Sequence, residues 1–107
     1  MARSPDVIVV GGGIIGCVVA YYLTLAGAKV QIFEREALGS QASGVAAGLL
    51  LPLAEHPEPG PFLNLALESL QMHRVLAQEL RNQTGIHVHF EETPVLIPAF
   101  SEGEAES

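Results

Sequence analysis

Hydrophobic and polar positions fall into blocks along this chain, and the first apolar block sets how the others are read. Asp6 opens onto four apolar residues, Val7-Ile8-Val9-Val10, which predict a buried strand over 6–10. Glycines interrupt the run at 11, 12 and 13. Apolar residues resume at Ile14 and continue to about Ala26, a length that suits a helix, and Gly27 fits a left-handed cap at its end. Lys29 to Phe33 predicts a second strand, parallel to the first through a right-handed crossover.

The pattern then changes. From Gly39 to Gly48 nearly every residue is small, so these side chains cannot fill a core alone and something large is expected against them. Ser43 to Ala47 predicts one short helical turn; a flexible Gly/Ser/Ala loop is the competing reading. A turn-rich loop over 55–61 follows, with Pro61 suited to the first position of a helix. Phe62 to about Thr84 is the longest helical pattern. Phe62, Ala66, Leu70, His73, Ala77 and Leu80 keep helical spacing, with Leu76 beside them, as a core-packing face, and Gly85 ends it. Strands are predicted at His87–Glu91 and Val95–Ile97, with Thr93-Pro94 between them, and Ser101 is placed to cap a further helix. The class is α/β: a Rossmann-like segment over 1–54, then over 55–107 a long helix with antiparallel strands that begin a second domain.

The glycines carry the first chemical signal. Gly11, Gly13 and Gly16 form Gly-x-Gly-x-x-Gly between a strand and a helix, the context that gives this pattern its meaning. The first turns the chain out of the strand. The second lets a pyrophosphate approach the backbone, and the third lets the helix pack close to the sheet. Phosphates would then face the helix N-terminus. Glu34 stands at the end of the second strand, 18 residues after Gly16, where a carboxylate accepts hydrogen bonds from both ribose hydroxyls and repels a 2′-phosphate. This argues for a dinucleotide and against NADP. Ser40 and Ser43 supply hydroxyls for phosphate oxygens. His87 and His89 would share a strand face, but no third ligand is evident, so no metal site is expected.

Length and charge narrow the reading. At 107 residues the chain is at most one domain and holds one mononucleotide half where a complete dinucleotide fold needs two, so a fragment or truncated product is expected. Residues 1–54 balance three cations against three acids. Residues 55–107 set Arg74 and Arg81 against nine glutamates and carry the whole net charge of −7. No phosphate-backbone footprint exists for nucleic acid. Cys17 is the single cysteine, which excludes an internal disulfide and fits a reducing, cytoplasmic setting; it reads as a small core hydrophobe. Val7 to Ala28 lacks charge, but its glycines break any single helix there, so no membrane span is expected. Arg3 alone makes a poor signal-peptide start.

Gly-Gly-Gly-Ile-Ile-Gly at 11–16, Ala-Tyr-Tyr-Leu at 20–23, Phe-Glu at 33–34 and Ser-Gly-Val-Ala-Ala-Gly-Leu-Leu at 43–50 together resemble the FAD-dependent amino-acid oxidase family. The likeness is greatest to its glycine oxidase branch. It continues through Gly-Pro-Phe at 60–62 to Thr-Gly-Ile at 84–86. The glycine motif is shared by many FAD and NAD proteins; the 43–50 stretch is more specific. The resemblance implies FAD as cofactor, with backbone N–H groups of Ile14 and Ile15 on the pyrophosphate. It implies Glu34 on the adenosine ribose, Arg35 by the adenine, Ala42 and Ser43 at the pyrophosphate or ribityl chain, and Ala47, Gly48 and Leu49 along the flavin ring. Gln41 and Ala42 depart from relatives that often carry more polar or basic phosphate contacts there, which weakens side-chain help at the phosphate.

The implied reaction oxidises a small amine or amino acid. A hydride passes to flavin N5, the imine hydrolyses to an oxo acid and ammonia, and oxygen becomes hydrogen peroxide; the flavin carries this chemistry. In the glycine oxidase branch the product is glyoxylate, linked to thiamine thiazole synthesis. The Arg and Tyr that grip the substrate carboxylate in this family lie later than residue 107, so no catalytic residue is assigned here, and the chain alone is expected to be inactive. Two other readings compete. An NAD-dependent dehydrogenase fragment explains Gly11 to Glu34 but leaves 39–50 unused. A non-catalytic truncated chain would act by association, and an exposed apolar sheet edge would favour homo-oligomers.

Overall fold

A computed structural model describes residues 4–101. These form two compact units, one ending at Leu49 and the other starting at Leu50.

The first unit is built on β1 (Val7–Val10), α1 (Ile14–Leu25) and β2 (Val30–Phe33). The β-branched run extends and pairs in parallel with β2, Val7 opposite Val30 and Val10 opposite Phe33. Asp6 closes the entrance to this pair. Its N–H donates to the Lys29 carbonyl at 2.8 Å, and its Oδ2 accepts from the Lys29 N–H at 2.8 Å. A parallel pair needs a crossover, and α1 supplies it. Both strands pack against α1. Ala20, on α1, is buried, and Val7, Val9, Val30 and Ile32 are half-buried. The chain turns through Gly27 at φ 92° before β2. A four-residue helix, α2 (Ala42–Val45), follows.

One expectation is corrected here. The first strand is not buried throughout: Val10 is 86% exposed, and Ile8 and Phe33 are also open. Among the described residues the sheet has two strands. Alternation along each strand sends every second side chain to the face opposite its neighbours, and here that second face is open.

In the second unit α3 (Pro52–Glu55) rests against α4 (Pro61–Thr84). The His56 and Phe62 rings meet edge to face, 4.4 Å apart. Pro61 opens α4, since its missing N–H is no loss in a first turn. Gly85 ends it at φ 73°, donating its N–H to the Arg81 carbonyl at 2.9 Å. The inward face of α4 differs from the expected one at its start. Leu63 is buried while Phe62 is exposed; Ala66, Leu70, His73, Leu76, Ala77 and Leu80 are half-buried as the spacing requires.

The strands expected at 87–91 and 95–97 do not form. His89 takes φ 52°, which no strand accommodates, and its N–H bonds back to His87 Nδ1 at 3.1 Å. Alternation makes a segment able to pair, but a strand exists only with a partner for its ladder, and among the described residues this segment meets none. It is tied to α4 instead by the Arg74–Glu92 ion pair at 2.6 Å. Ser101 is the last described residue, and the helix expected beyond it lies outside the described residues. Among the described residues no helix is long and apolar enough to cross a membrane.

Gly16 gives a test in which the sign is informative. In an ordinary helix Gly→Ala stabilises by about 1 kcal/mol. A Cβ on Gly16 would run into the backbone carbonyl of Gly11. Gly16→Ala is therefore expected to destabilise the chain by about 1–3 kcal/mol, read as a lower midpoint in urea unfolding followed by circular dichroism. A midpoint that rises would contradict the close packing of α1 on the β1 exit.

Candidate functional site

The site forms where β1 ends. Gly11 turns the chain at φ 103°, a conformation that favours glycine, and donates its N–H to the Phe33 carbonyl at 2.8 Å. The loop is thereby fastened to the end of β2. Gly13 is extended and starts α1 without a side-chain cap. The first intrahelical bond runs from the Cys17 N–H to the Gly13 carbonyl at 3.0 Å, so the N–H groups of Ile14, Ile15 and Gly16 precede the ladder and point outward. Beside them lies an open cleft of about 420 Å³. Gly11, Gly13, Ile14, Ile15, Gly16 and Ser43 all line it.

Glu34 lies on the other side of the glycine loop. Its Oε2 accepts from the Gly12 N–H at 2.7 Å and its Oε1 from the Glu36 N–H at 2.9 Å. The Glu36 and Gly12 N–H groups hold its carboxyl below the ordinary glutamate value of 4.5. A carboxylate offers about four acceptor positions, so each oxygen keeps capacity for another donor.

Gly12, to which the motif assigns no role, is the hinge of this arrangement. It is buried, and a Cβ there would strike the Leu38 side chain and crowd Glu34. Its N–H serves Glu34, and its carbonyl accepts from the Gly39 N–H at 2.8 Å. The available signal was a third consecutive glycine where the motif asks for only two.

Ser43 is the other surprise. Its Oγ accepts from the Ile14 N–H at 2.9 Å, so the first free amide of α1 is already engaged. The hydroxyl keeps its own proton to donate. A Cβ on Gly13 would sit 3.2 Å from the same Oγ, so Gly13 makes room for Ser43 as well as for any ligand. The expected turn at 43–47 is present but shifted, as α2, with Ala42 at its start.

The remaining expected residues stand apart from the cleft. Arg35 is exposed and pairs with Glu36 at 3.4 Å. Gln41 donates to Glu36 Oε2 at 2.6 Å. Ala42, Ala47, Gly48 and Leu49 do not line the cleft; Gly48 turns at φ 79° and Leu49 is exposed. Among the described residues no group of three or more His, Cys, Asp or Glu is placed to hold a metal ion.

A strand–glycine loop–helix with a carboxylate at the end of the next strand is the frame of a dinucleotide-binding protein. The chain belongs to the FAD-dependent oxidoreductase family, whose sequence profile matches residues 6–107. It is similar to glycine oxidases from Bacillus licheniformis, at 40% identity over 106 residues, and from Geobacillus kaustophilus, at 39%. Each alignment covers 99% of this chain, but only 29% and 28% of the relative. The bifunctional protein ThiO/ThiG of Synechocystis is 35% identical over 94% of this chain and 15% of that protein. The chain thus spans under a third of the length of these relatives.

The Glu34 geometry predicts a pH dependence. Folding lowers this pKa, so its contribution to stability is complete above the ordinary glutamate range and is lost as pH falls through the lowered folded value. The Gly12 amide resonance should move with that titration, at a pH below 4.5, and Glu34→Gln should abolish the movement. A Gly12 amide that titrates at or above the ordinary glutamate value would contradict the bond.

Proposed function

We propose that this chain is the FAD-binding N-terminal part of an oxidoreductase that oxidatively deaminates glycine or another small amine or amino acid. The observation that carries the proposal is the pair of anchors flanking one glycine loop. Ser43 and the outward amides of α1 lie on one side, and the backbone-fixed carboxylate of Glu34 lies on the other. Both anchors suit the ADP half of FAD, a diphosphate joined to a ribose.

In this reading the Ile15 and Gly16 N–H groups hold the pyrophosphate, Gly11 and Gly13 shape the loop that lets it approach, and Ile14 acts through Ser43, to which its N–H is bonded. Ser43 adds its hydroxyl proton, with Ala42 alongside. Glu34 accepts from the ribose hydroxyls with the acceptor capacity left beside its bonds to Gly12 and Glu36. Arg35 serves the adenine end, and Ala47, Gly48 and Leu49 lie along the flavin ring. Bound FAD supplies hydride acceptance and reoxidation by oxygen, yielding an oxo acid, ammonia and hydrogen peroxide. The groups that bind the amine belong to the whole enzyme, so this chain's own task is to hold and orient the cofactor. Support for an amine substrate comes from the glycine oxidase relatives. Likeness to ThiO/ThiG supports a link to thiamine thiazole synthesis. A cytoplasmic location accords with the unpaired Cys17.

The test is a titration of the purified chain with FAD and, separately, with NAD, followed by flavin fluorescence and calorimetry. FAD should bind and NAD should not compete. Glu34→Ala removes the carboxylate that accepts from the ribose in this reading and should weaken FAD binding about tenfold. In the full-length protein, glycine should produce peroxide. A folded chain that binds NAD and not FAD would contradict the proposal.

A further inference from the structure

The second unit holds a site unrelated to the glycine loop. From residue 55 onward the chain has nine glutamates but only two arginines, Arg74 and Arg81. They sit seven residues apart on α4, two turns along one face. Both line one open groove of about 310 Å³ together with His87, His89 and Glu92. An acidic half of a chain thus gathers all its arginines, and two of its histidines, in one place.

This groove already holds one carboxylate. Glu92 Oε1 lies 2.6 Å from Arg74 Nε, and Arg74 also donates to Gln71 Oε1 at 3.0 Å. Arg81 has the same guanidinium fork but, among the described residues, no ion-pair partner. His87 lines the same groove. Its Nδ1 accepts the His89 N–H, so the neutral ring carries its proton on Nε2 and is a donor there. The His89 ring packs edge to face against it, with centroids 4.5 Å apart, and fixes its orientation. Gln78, also on the groove wall, has its side-chain NH₂ bonded to Asn82 Oδ1 at 2.9 Å. Among the described residues, no side-chain acceptor is paired with Arg81 or with His87 Nε2.

We propose that this groove binds a small oxyanion, a phosphate or a carboxylate, between the Arg81 guanidinium and the His87 Nε2–H. The Arg74–Glu92 pair lines the same groove. A guanidinium fork matches two oxygens of either ligand, and a ring N–H completes the set. Arg81 is exposed, so affinity is in the millimolar range expected of a solvent-screened contact.

The test is NMR of the full chain, following the Arg81 Nε–H and His87 ring resonances. Inorganic phosphate and acetate are titrated in separate arms, each against sodium chloride at equal ionic strength. Saturable shifts with either oxyanion and none with chloride support the site, and the arm that saturates identifies the ligand source. Arg81→Gln should weaken binding about tenfold. Glu92→Gln frees the second guanidinium and should tighten it about threefold. Absence of saturation up to about 50 mM, equal shifts with chloride, or unchanged affinity in Arg81→Gln would overturn the proposal. None of these readouts involves flavin, so this site and the FAD reading fail separately.

Discussion

The backbone of Gly12 holds the first unit together where chemistry is expected. Its N–H is bound by Glu34, at the end of β2, and its carbonyl by the Gly39 amide, in the small-residue stretch. The backbone of this one residue thus fastens the glycine loop to two points much later in the chain. The space it occupies is closed to a side chain by Leu38 and Glu34. Glu34 is therefore a structural acceptor in its own right. Its two backbone bonds hold the carboxylate charged and oriented, which is the condition for accepting further hydrogen bonds without rearrangement.

The same economy appears at Ser43. Its hydroxyl satisfies the first free amide of α1 and still has a proton to give. A helix N-terminus left bare would carry unpaired donors into the cleft. Here one donor is covered, and those of Ile15 and Gly16 remain directed outward. The Ile14 amide, expected to face a pyrophosphate directly, is instead bonded to the Ser43 hydroxyl.

Much of this was legible in the residues because the signals are local. Four β-branched residues, a glycine turn, an uncharged helical run and a second apolar strand specify β1, α1 and β2 to within a residue or so of their ends. Pro61 and Gly85 mark both ends of α4 for reasons intrinsic to their backbones. The failures are non-local. His87–Glu91 alternates as a strand should, yet pairing depends on a neighbour that periodicity does not reveal. Phe62 fits the apolar spacing as well as Leu63 does, yet Leu63 is buried and Phe62 exposed, a choice that depends on tertiary packing and not on spacing. Gly12 was passed over because its role lies in contacts with Leu38, Glu34 and Gly39, none of them adjacent in sequence.

The central claim is that the two anchors around Gly11–Gly16 grip one ligand together. The most direct measurement is an amide-resolved NMR titration of the chain with FAD. The account predicts concerted, saturable shifts at Gly12, Gly13, Ile14, Ile15 and Ser43, with one affinity for all of them and for the Glu34 side chain. Shifts confined to one side of the loop, or affinities that differ between the Ser43 side and the Glu34 side, would contradict it.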